Sequence, residues 1–134
     1  MPPPGAPLPR TSECAAGPIA TRYFVEHGAT VLRVESRTRP DFLRVYALGP
    51  DNPHGLEGAG MYDGLNVGKR NVTLALKHPD AIALVKRLVV EWADAVVENF
   101  APRAMQGFGL DYERLAALRP DLVMASACLN GQTG

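Results

Sequence analysis

The sequence lacks several features that would indicate a class of protein directly. Only two cysteines occur, Cys14 and Cys128, and they form no CxxC pair. Neither a disulfide framework nor a zinc module is therefore expected. Fourteen Lys and Arg residues balance fourteen Asp and Glu residues, which removes any global charge argument for nucleic acid or a membrane surface as partner. Any anion-binding site must be local.

Long apolar runs are missing as well. No stretch approaches the roughly 20 apolar residues of a membrane-spanning helix, and the opening MPPPGAPLPR lacks the apolar centre of a signal peptide. We therefore expect a cytoplasmic protein. Because proline fixes the backbone and has no N–H, residues 1–13 are expected to form an irregular leader ahead of a domain over residues 14–134.

The rest of the chain alternates helix and strand patterns. Its 134 residues, 46% of them hydrophobic, suit one globular domain. Pro18 favours a helix that begins near Gly17 and ends at Gly28, and the run ATVLRVE predicts a strand over residues 30–35. Three further strands are predicted at residues 72–76, 95–98 and 121–128, and further helices near Pro79, Pro102 and Tyr112. This order predicts an α/β fold with a mainly parallel sheet in three layers.

Residues 36–65 carry no sustained periodicity. They are rich in Pro, Gly, Asp and Asn, so a long loop is expected, either functional or mobile. The stretch GAGMYDG imitates part of a dinucleotide-binding GxGxxG motif. Its spacing is wrong and no strand leads into it, so no such site is assigned.

No catalytic centre is evident from residue types. No serine stands in a GxSxG elbow and the three histidines fall at no triad or metal-ligand spacing, so no catalytic residue and no metal ligand is assigned. His78, just before Pro79, is expected to cap the following helix or to be solvated. Glu35, Asp94 and Glu98 stand at predicted strand ends, where a structural hydrogen bond accounts for them as well as catalysis does.

Two short motifs indicate a local anion site. NVGKR places a glycine beside Lys69 and Arg70 at a strand entrance, and ENFAPR places Asn99 and Phe100 at a strand exit. Two cations, an amide and a flat aromatic suit a ligand with phosphates and a base ring. The motifs meet only if their strands are neighbours, which their order in the chain favours. Two solvated cations and a satisfied loop amide explain the same residues equally well, so both interpretations stay open.

The chain as a whole resembles a known family. The segments AGPIATRYFVEHGATVLRVES, RPDFLR, NVGKRNVTLALKHPDA and ADAVVENFAPRAMQGFGLDYERLAALRPDLVMASACLNGQTG are similar, in order and spacing, to the amino-terminal part of the class III coenzyme A transferases. This is the CaiB/BaiF-type, formyl-CoA transferase-like family, which also includes the acyl-CoA racemases. The resemblance covers residues 15–134. It implies a Rossmann-like domain that binds coenzyme A (CoA), no metal, and two interlocked chains in the complete family protein.

The resemblance also implies a mechanism. An aspartate carboxylate attacks the donor acyl-CoA, and an enzyme-CoA thioester then passes CoA to a carboxylic acid. The family's aspartate lies beyond the GQTG element and matches no residue in 1–134, so we expect a fragment that keeps part of the CoA pocket and does not transfer CoA alone. The alternatives are a non-catalytic CoA-binding module docked to a second polypeptide, a degenerate remnant, or, within the family, a racemase. The RPDFLR segment is more similar to the corresponding segment of transferases that act on larger organic acids than to that of the racemases.

CoA-contacting residues follow from the resemblance one position at a time. The matched positions are Ala15 and Ala16 before the first helix, Ser36 and Arg37 after the strand-end glutamate, Lys69 and Arg70 in the basic pair, and Asn99 and Phe100 in the ENF segment. Many members carry an arginine where Gly107 stands here, and Arg103 is the candidate substitute. The family's first strand should occupy residues 1–13, which the prolines disfavour, so the sheet is expected to be incomplete.

Overall fold

The computed structural model describes residues 11–46, 52–101 and 103–128. Helices and strands alternate along these residues, which confirms the predicted α/β class. The elements are α1 Thr11–Glu26, β1 Leu32–Glu35, α2 Phe42–Val45, a 3-10 turn Gly55–Gly58, α3 Gly60–Asn66, β2 Arg70–Thr73, α4 Pro79–Glu91, β3 Ala95–Glu98, α5 Ala104–Phe108, α6 Tyr112–Leu118 and β4 Val123–Ser126.

The four strands pair in parallel, as expected for strands joined by helical crossovers. β1 pairs with β2, with Leu32 beside Arg70, and β3 pairs with β4, with Ala95 beside Val123. Within the described ranges these are two separate two-stranded sheets. The expectation that the strands after NVGKR and before ENF are neighbours is therefore wrong. β2 forms its hydrogen bonds with β1, and α4 carries the chain to a new pair of strands.

Helix α1 begins earlier than predicted. It starts at Thr11 and contains Pro18, whereas the sequence pattern placed the start near Gly17. A proline inside a helix removes one backbone hydrogen bond, and the helix-favouring alanines before it continue the helix upstream. Three residues predicted to be leader thus lie in α1, and residues 1–10 fall outside the described residues.

The segment from residue 36 to 65 is not one long loop. It contains α2, the 3-10 turn and most of α3, while residues 47–51 fall outside the described ranges. Each element has two turns or fewer, too short to produce a detectable period. Asp41 caps α2 by accepting the Leu43 N–H at 2.7 Å, a turn signal that the sequence does carry.

Two small apolar cores hold these elements together. In the larger one Val89 of α4 packs with Leu110, Leu115 and Leu122, against the inner side of β3 and β4. The smaller one joins α2 to α3 and is formed by Leu43, Ala59 and Tyr62. Helix α1 contacts α2 and α3 and also β3, so it lies against both parts.

The ends of α4 confirm one prediction and correct another. His78 caps the helix by accepting the Asp80 N–H at 3.3 Å. Ile82, Val85 and Val89 face the larger core, as their spacing predicts. The same spacing predicts Trp92 on this face, but its side chain is 47% exposed, because Trp92 follows the last helical turn and has a non-helical backbone.

Candidate functional site

The carboxyl end of β1 carries a network of charged side chains. The Glu35 carboxylate accepts hydrogen bonds from Arg44 Nε at 2.9 Å and Nη2 at 3.2 Å, and also from Arg33 and the Tyr62 hydroxyl. Arg33 pairs in addition with Asp41. The Arg44 guanidinium lies 3.7 Å from the centroid of the Tyr62 ring. These five residues, the Glu35 network, hold their charges largely out of solvent, with Glu35 10% and Asp41 19% exposed.

The Glu35 network fixes the loop that carries Ser36 and Arg37. It ties the end of β1 to α2 and α3, and Asn71 of β2 adds a hydrogen bond to the Tyr62 hydroxyl at 3.0 Å. Within the held loop the Ser36 hydroxyl bonds to Thr38 at 3.1 Å, and Arg37 is exposed. Two predicted CoA contacts thus lie on a loop whose two ends are anchored.

Glu35 is ionised at neutral pH and accepts four hydrogen bonds. Burial alone would raise its pKa, but hydrogen bonds from Arg44 and Tyr62 and the charges of Arg33 and Arg44 outweigh burial and hold the pKa below its ordinary value. Two guanidinium groups stabilise the charged carboxylate and make it a weak base, which disfavours a role as a general base. Of the two roles left open for Glu35, a structural hydrogen-bonding role agrees with these contacts.

We expect the Glu35 carboxylate to make the protein more stable above about pH 4.5 than below it. The folded-state pKa is lowered, so the unfolded chain binds the proton first. The stabilisation is complete above the unfolded pKa and is lost as the pH falls through the folded one. Urea unfolding from about pH 3 to 7 would show the stability difference between the wild type and Glu35→Gln shrinking in acid. A difference that stays constant with pH would contradict this.

Lys69 lies at the entrance of β2 with its ammonium group turned into the protein. Nζ donates to the carbonyls of Pro18 at 2.8 Å and Leu65 at 2.9 Å, and to the side-chain oxygen of Asn66 at 3.0 Å. Burial, with a smaller contribution from the charge of Arg33, lowers the pKa of Lys69 to about 8. Lys69 is therefore still a cation at neutral pH and donates all three hydrogens. It ties α1 and α3 to β2, and its predicted contact with CoA stays a prediction.

Arg70 points the other way. Its side chain is exposed, and within the described part of the chain it forms no ion pair or hydrogen bond; its backbone N–H bonds to the Val31 carbonyl at 2.9 Å. The turn just before the two cations needs a glycine. Gly68 has φ 76°, and a Cβ there would lie 2.6 Å from Val25. NVGKR thus presents one structural cation and one exposed cation.

The ENF segment lies at the carboxyl end of β3. Glu98 is buried and accepts the Phe100 N–H at 2.7 Å, which confirms a structural hydrogen bond for this second strand-end carboxylate. Phe100 is 41% exposed and packs edge-on against Phe108 with 5.8 Å between ring centroids. A Cβ added to Gly17 would lie 3.9 Å from the Asn99 Cβ, so this part of α1 lies against the end of β3.

A cavity of about 360 Å³ opens at the carboxyl ends of β3 and β4. Glu98, Arg103, Asp111, Glu113 and Ser126 are among its lining residues. In open parallel sheets ligands bind at this end of the strands. The cavity is therefore a candidate ligand site, and Arg103 is the predicted residue that lines it.

Seven of the nine predicted residues fall into two groups that meet at α1. One group lies beside β1 and β2 and the other follows β3; the members are Ser36, Arg37, Lys69 and Arg70 in the first, and Asn99, Phe100 and Arg103 in the second. Ala15 and Ala16, predicted to precede the first helix, lie inside α1 instead. Lys69 bonds to the Pro18 carbonyl, and the neighbouring Gly17 faces Asn99. The groups thus adjoin consecutive residues of one helix, although their strands are not paired.

Sequence reasoning missed several residues that shape these places. Asp41, Arg44 and Tyr62 of the Glu35 network were not singled out, nor was Asp111 of the cavity as a lining residue. The spacing of Asp41 and Arg44 on a capped turn was the available signal. Within the described ranges no group of three His, Cys, Asp or Glu side chains is placed to hold a metal ion, and no helix there is long and apolar enough to cross a bilayer.

The chain is an α/β protein with parallel strands joined by helical crossovers, and a candidate ligand cavity lies at the strand ends. A family model described as CoA-transferase family III matches residues 10–134, and the chain belongs to this family.

Its relatives are longer enzymes. The chain is 41% identical over 123 residues to the succinate–glutarate CoA-transferase of Agrobacterium fabrum, covering 89% of this chain and 30% of that protein. It is 36% identical over 120 residues to the succinyl-CoA–D-citramalate CoA-transferase of Chloroflexus aurantiacus, covering 89% and 28%. A crystal structure of a CaiB/BaiF family protein from Brucella suis superposes with a TM-score of 0.72 at 36% identity, covering 84% of this chain and 29% of that one. The chain thus spans less than a third of these relatives.

Proposed function

We propose that this chain forms the amino-terminal, Rossmann-like part of a CoA-transferase and contacts the CoA portion of an acyl-CoA substrate. Membership of CoA-transferase family III supports the activity class. The observation that carries the binding role is the meeting of the two groups of predicted residues at Gly17 and Pro18 of α1. The Rossmann-like three-layer sheet of the resemblance is part of this proposal.

The proposed reaction moves CoA from an acyl-CoA donor to a carboxylic acid. An aspartate carboxylate would attack the thioester carbonyl, and the released CoA thiolate would convert the resulting anhydride to an enzyme-CoA thioester. That aspartate matches none of the 134 residues, so the part proposed for these residues is binding. Asp111 accepts the N–H of Arg114 and caps α6, and it is not assigned to the nucleophile.

We propose a dicarboxylic acid as the acceptor. The names of two relatives refer to succinate, glutarate and D-citramalate, and the charge of a second carboxylate offers a group for recognition. The family resemblance carries two further parts of the proposal, an interlocked pair of chains in the complete protein and a cytoplasmic location.

The exposed residues have separate proposed roles. Arg70 and Arg37, both exposed cations on the β1 and β2 side, would contact CoA phosphates through their planar guanidinium groups. Lys69 would hold the turn that presents Arg70. Phe100, with a partly exposed ring, would pack against an apolar or flat part of the ligand.

We expect CoA to bind the chain saturably in calorimetric titration and Arg70→Gln to weaken binding about fivefold to tenfold, because one exposed charge-assisted contact is lost. Arg87→Gln is the matched control. Arg87 is also a surface arginine, with a side chain that is 66% exposed and forms a weak ion pair with Glu91 at 3.9 Å. Its replacement by glutamine should leave the affinity for CoA unchanged.

Two outcomes would contradict the proposal. One is the absence of saturable heat from a chain that unfolds cooperatively. The other is an equal loss of affinity in Arg70→Gln and Arg87→Gln, which would indicate a general charge effect rather than a site.

A further inference from the structure

One guanidinium group holds both ends of the loop that follows β1. Arg33 donates from Nη1 to the Glu35 carboxylate, where the loop begins, and from Nη2 to the Asp41 carboxylate, where it ends. Its side chain is only 14% exposed, and Nη1 also donates to the Tyr62 hydroxyl at 2.8 Å. Arg33 with its two carboxylates, the Arg33 clamp, thus closes residues 36–40 into a loop.

The far end of the loop is fixed to the fold by the second oxygen of Asp41. Asp41 Oδ1 accepts the Leu43 N–H at 2.7 Å and caps α2. The Leu43 side chain is fully buried and belongs to the smaller core. Arg33 therefore connects the end of β1 to a turn that is anchored in the interior.

The loop would lose its conformation without the Arg33 clamp, because its own residues face solvent. Arg37, Thr38 and Arg39 are exposed, and the two arginines carry the same charge as Arg33. An open loop samples many backbone conformations, so a ligand that binds it must offset the entropy lost on ordering it. A loop that is closed in advance avoids this cost.

We infer that Arg33 is a positioning residue: through the Arg33 clamp it holds the loop so that Arg37 is presented to a phosphate of CoA. The inference rests on the proposed function. Arg33 offers the ligand no contact of its own, since both of its terminal nitrogens donate to Glu35, Asp41 and Tyr62. Its effect on affinity therefore passes through Arg37.

The neighbouring cation Arg70 serves as the reference for this role. Arg70 pairs with Leu32 in the register of β1 and β2, so its side chain lies on the opposite face of the strands from Arg33. A change at Arg33 should therefore alter the contribution of Arg37 to CoA affinity and leave that of Arg70 unchanged.

Limited digestion with trypsin tests the Arg33 clamp without a ligand. Trypsin cleaves after arginine but not before proline, so within this loop it can cut after Arg37 and not between Arg39 and Pro40. A loop that opens locally reaches the protease, whereas a closed loop is protected. Asp41→Asn, which removes the charge that Arg33 holds, should therefore speed cleavage after Arg37 about tenfold.

Two controls separate a local opening from a general loss of stability. Asparagine keeps an oxygen that caps α2, and cleavage after Arg87 on α4 should not change. Glu57→Gln, which removes the exposed partner of Arg44, should leave cleavage after Arg37 as in the wild type. An unchanged rate after Arg37 in Asp41→Asn, or an equal increase after Arg37 and Arg87, would overturn the inference.

Calorimetric titration with CoA then tests the positioning by a double-mutant cycle. Arg33→Lys keeps the charge but replaces the planar fork with one nitrogen, which cannot hold both carboxylates in the same geometry. Arg37→Gln should weaken CoA binding about fivefold in the wild-type chain and less than about twofold in Arg33→Lys or Asp41→Asn. Arg70→Gln should cause the same loss of affinity in all three backgrounds.

The outcomes distinguish the inference from the proposed function. Saturable CoA binding with an equal effect of Arg37→Gln in every background overturns the positioning role and leaves the proposed function standing. A wild-type chain that unfolds cooperatively and binds no CoA contradicts the proposed function, and the positioning role with it, even where digestion shows that Arg33 closes the loop.

Discussion

Glu35→Gln is expected to lower the free energy of unfolding by about 3 kcal/mol. The carboxylate of Glu35 accepts hydrogen bonds from Arg33, Arg44 and Tyr62. Glutamine keeps the shape but turns one acceptor into a donor and removes the charge. Two largely buried guanidinium groups then lose a shared counter-charge, which is costly because the partners remain out of water.

Glu57→Gln is the matched control for this substitution. Glu57 pairs with the same Arg44 at 3.1 Å, but its side chain is 79% exposed, and exposed pairs contribute little. Its expected effect is below about 0.5 kcal/mol. Urea unfolding at neutral pH measures both variants. If both variants lost the same free energy of unfolding, burial would not determine how much these ion pairs contribute to stability.

Lys69→Met is expected to lower the free energy of unfolding by about 2 kcal/mol. Methionine preserves the length and the apolar part of the side chain but removes the ammonium group that donates to two backbone carbonyls and the Asn66 oxygen. Asn66 is buried, so water does not replace the lost contact fully. The link from β2 to α1 and α3 is weakened.

Arg70→Gln is the control for Lys69→Met. Arg70 is the adjacent cation but is exposed, so its replacement should change stability by less than about 0.5 kcal/mol. Urea unfolding and CoA titration of both single variants separate folding from binding. If Lys69→Met left stability unchanged and weakened CoA binding, Lys69 would be the ligand contact that the sequence suggested. Its inward hydrogen bonds would then contribute little to the free energy of unfolding.

Local sequence patterns located the β-branched strand β1 and the long helix α4, whereas the alternating run predicted as a strand over residues 72–76 overlaps β2, Arg70–Thr73, only in part. The β-branched run before Glu35 and the apolar spacing on α4 lie where they were expected. The pairing of strands was not predictable in the same way, because pairing depends on contacts between residues far apart in the chain. The early start of α1 was missed because Pro18 is read as a helix beginning, although a helix with enough other hydrogen bonds tolerates one missing N–H.

The candidate site was predictable in residue type but not in orientation. NVGKR indicated two cations, yet which of them faces inward depends on the turn at Gly68 and on acceptors supplied by Pro18, Leu65 and Asn66. No local pattern contains that information. Likewise the left-handed backbone of Arg103 is invisible in a string where arginine is an ordinary residue.

The two separate apolar cores have a consequence for how the chain opens. Each core holds its own short elements, so each part can unfold locally without the other and exchange its amide hydrogens at its own rate. Helix α1 touches both parts, through Pro18 on one side and Gly17 on the other. A ligand that contacts both groups of residues around α1 would suppress both openings at once, because binding stabilises only the state in which the two parts are closed.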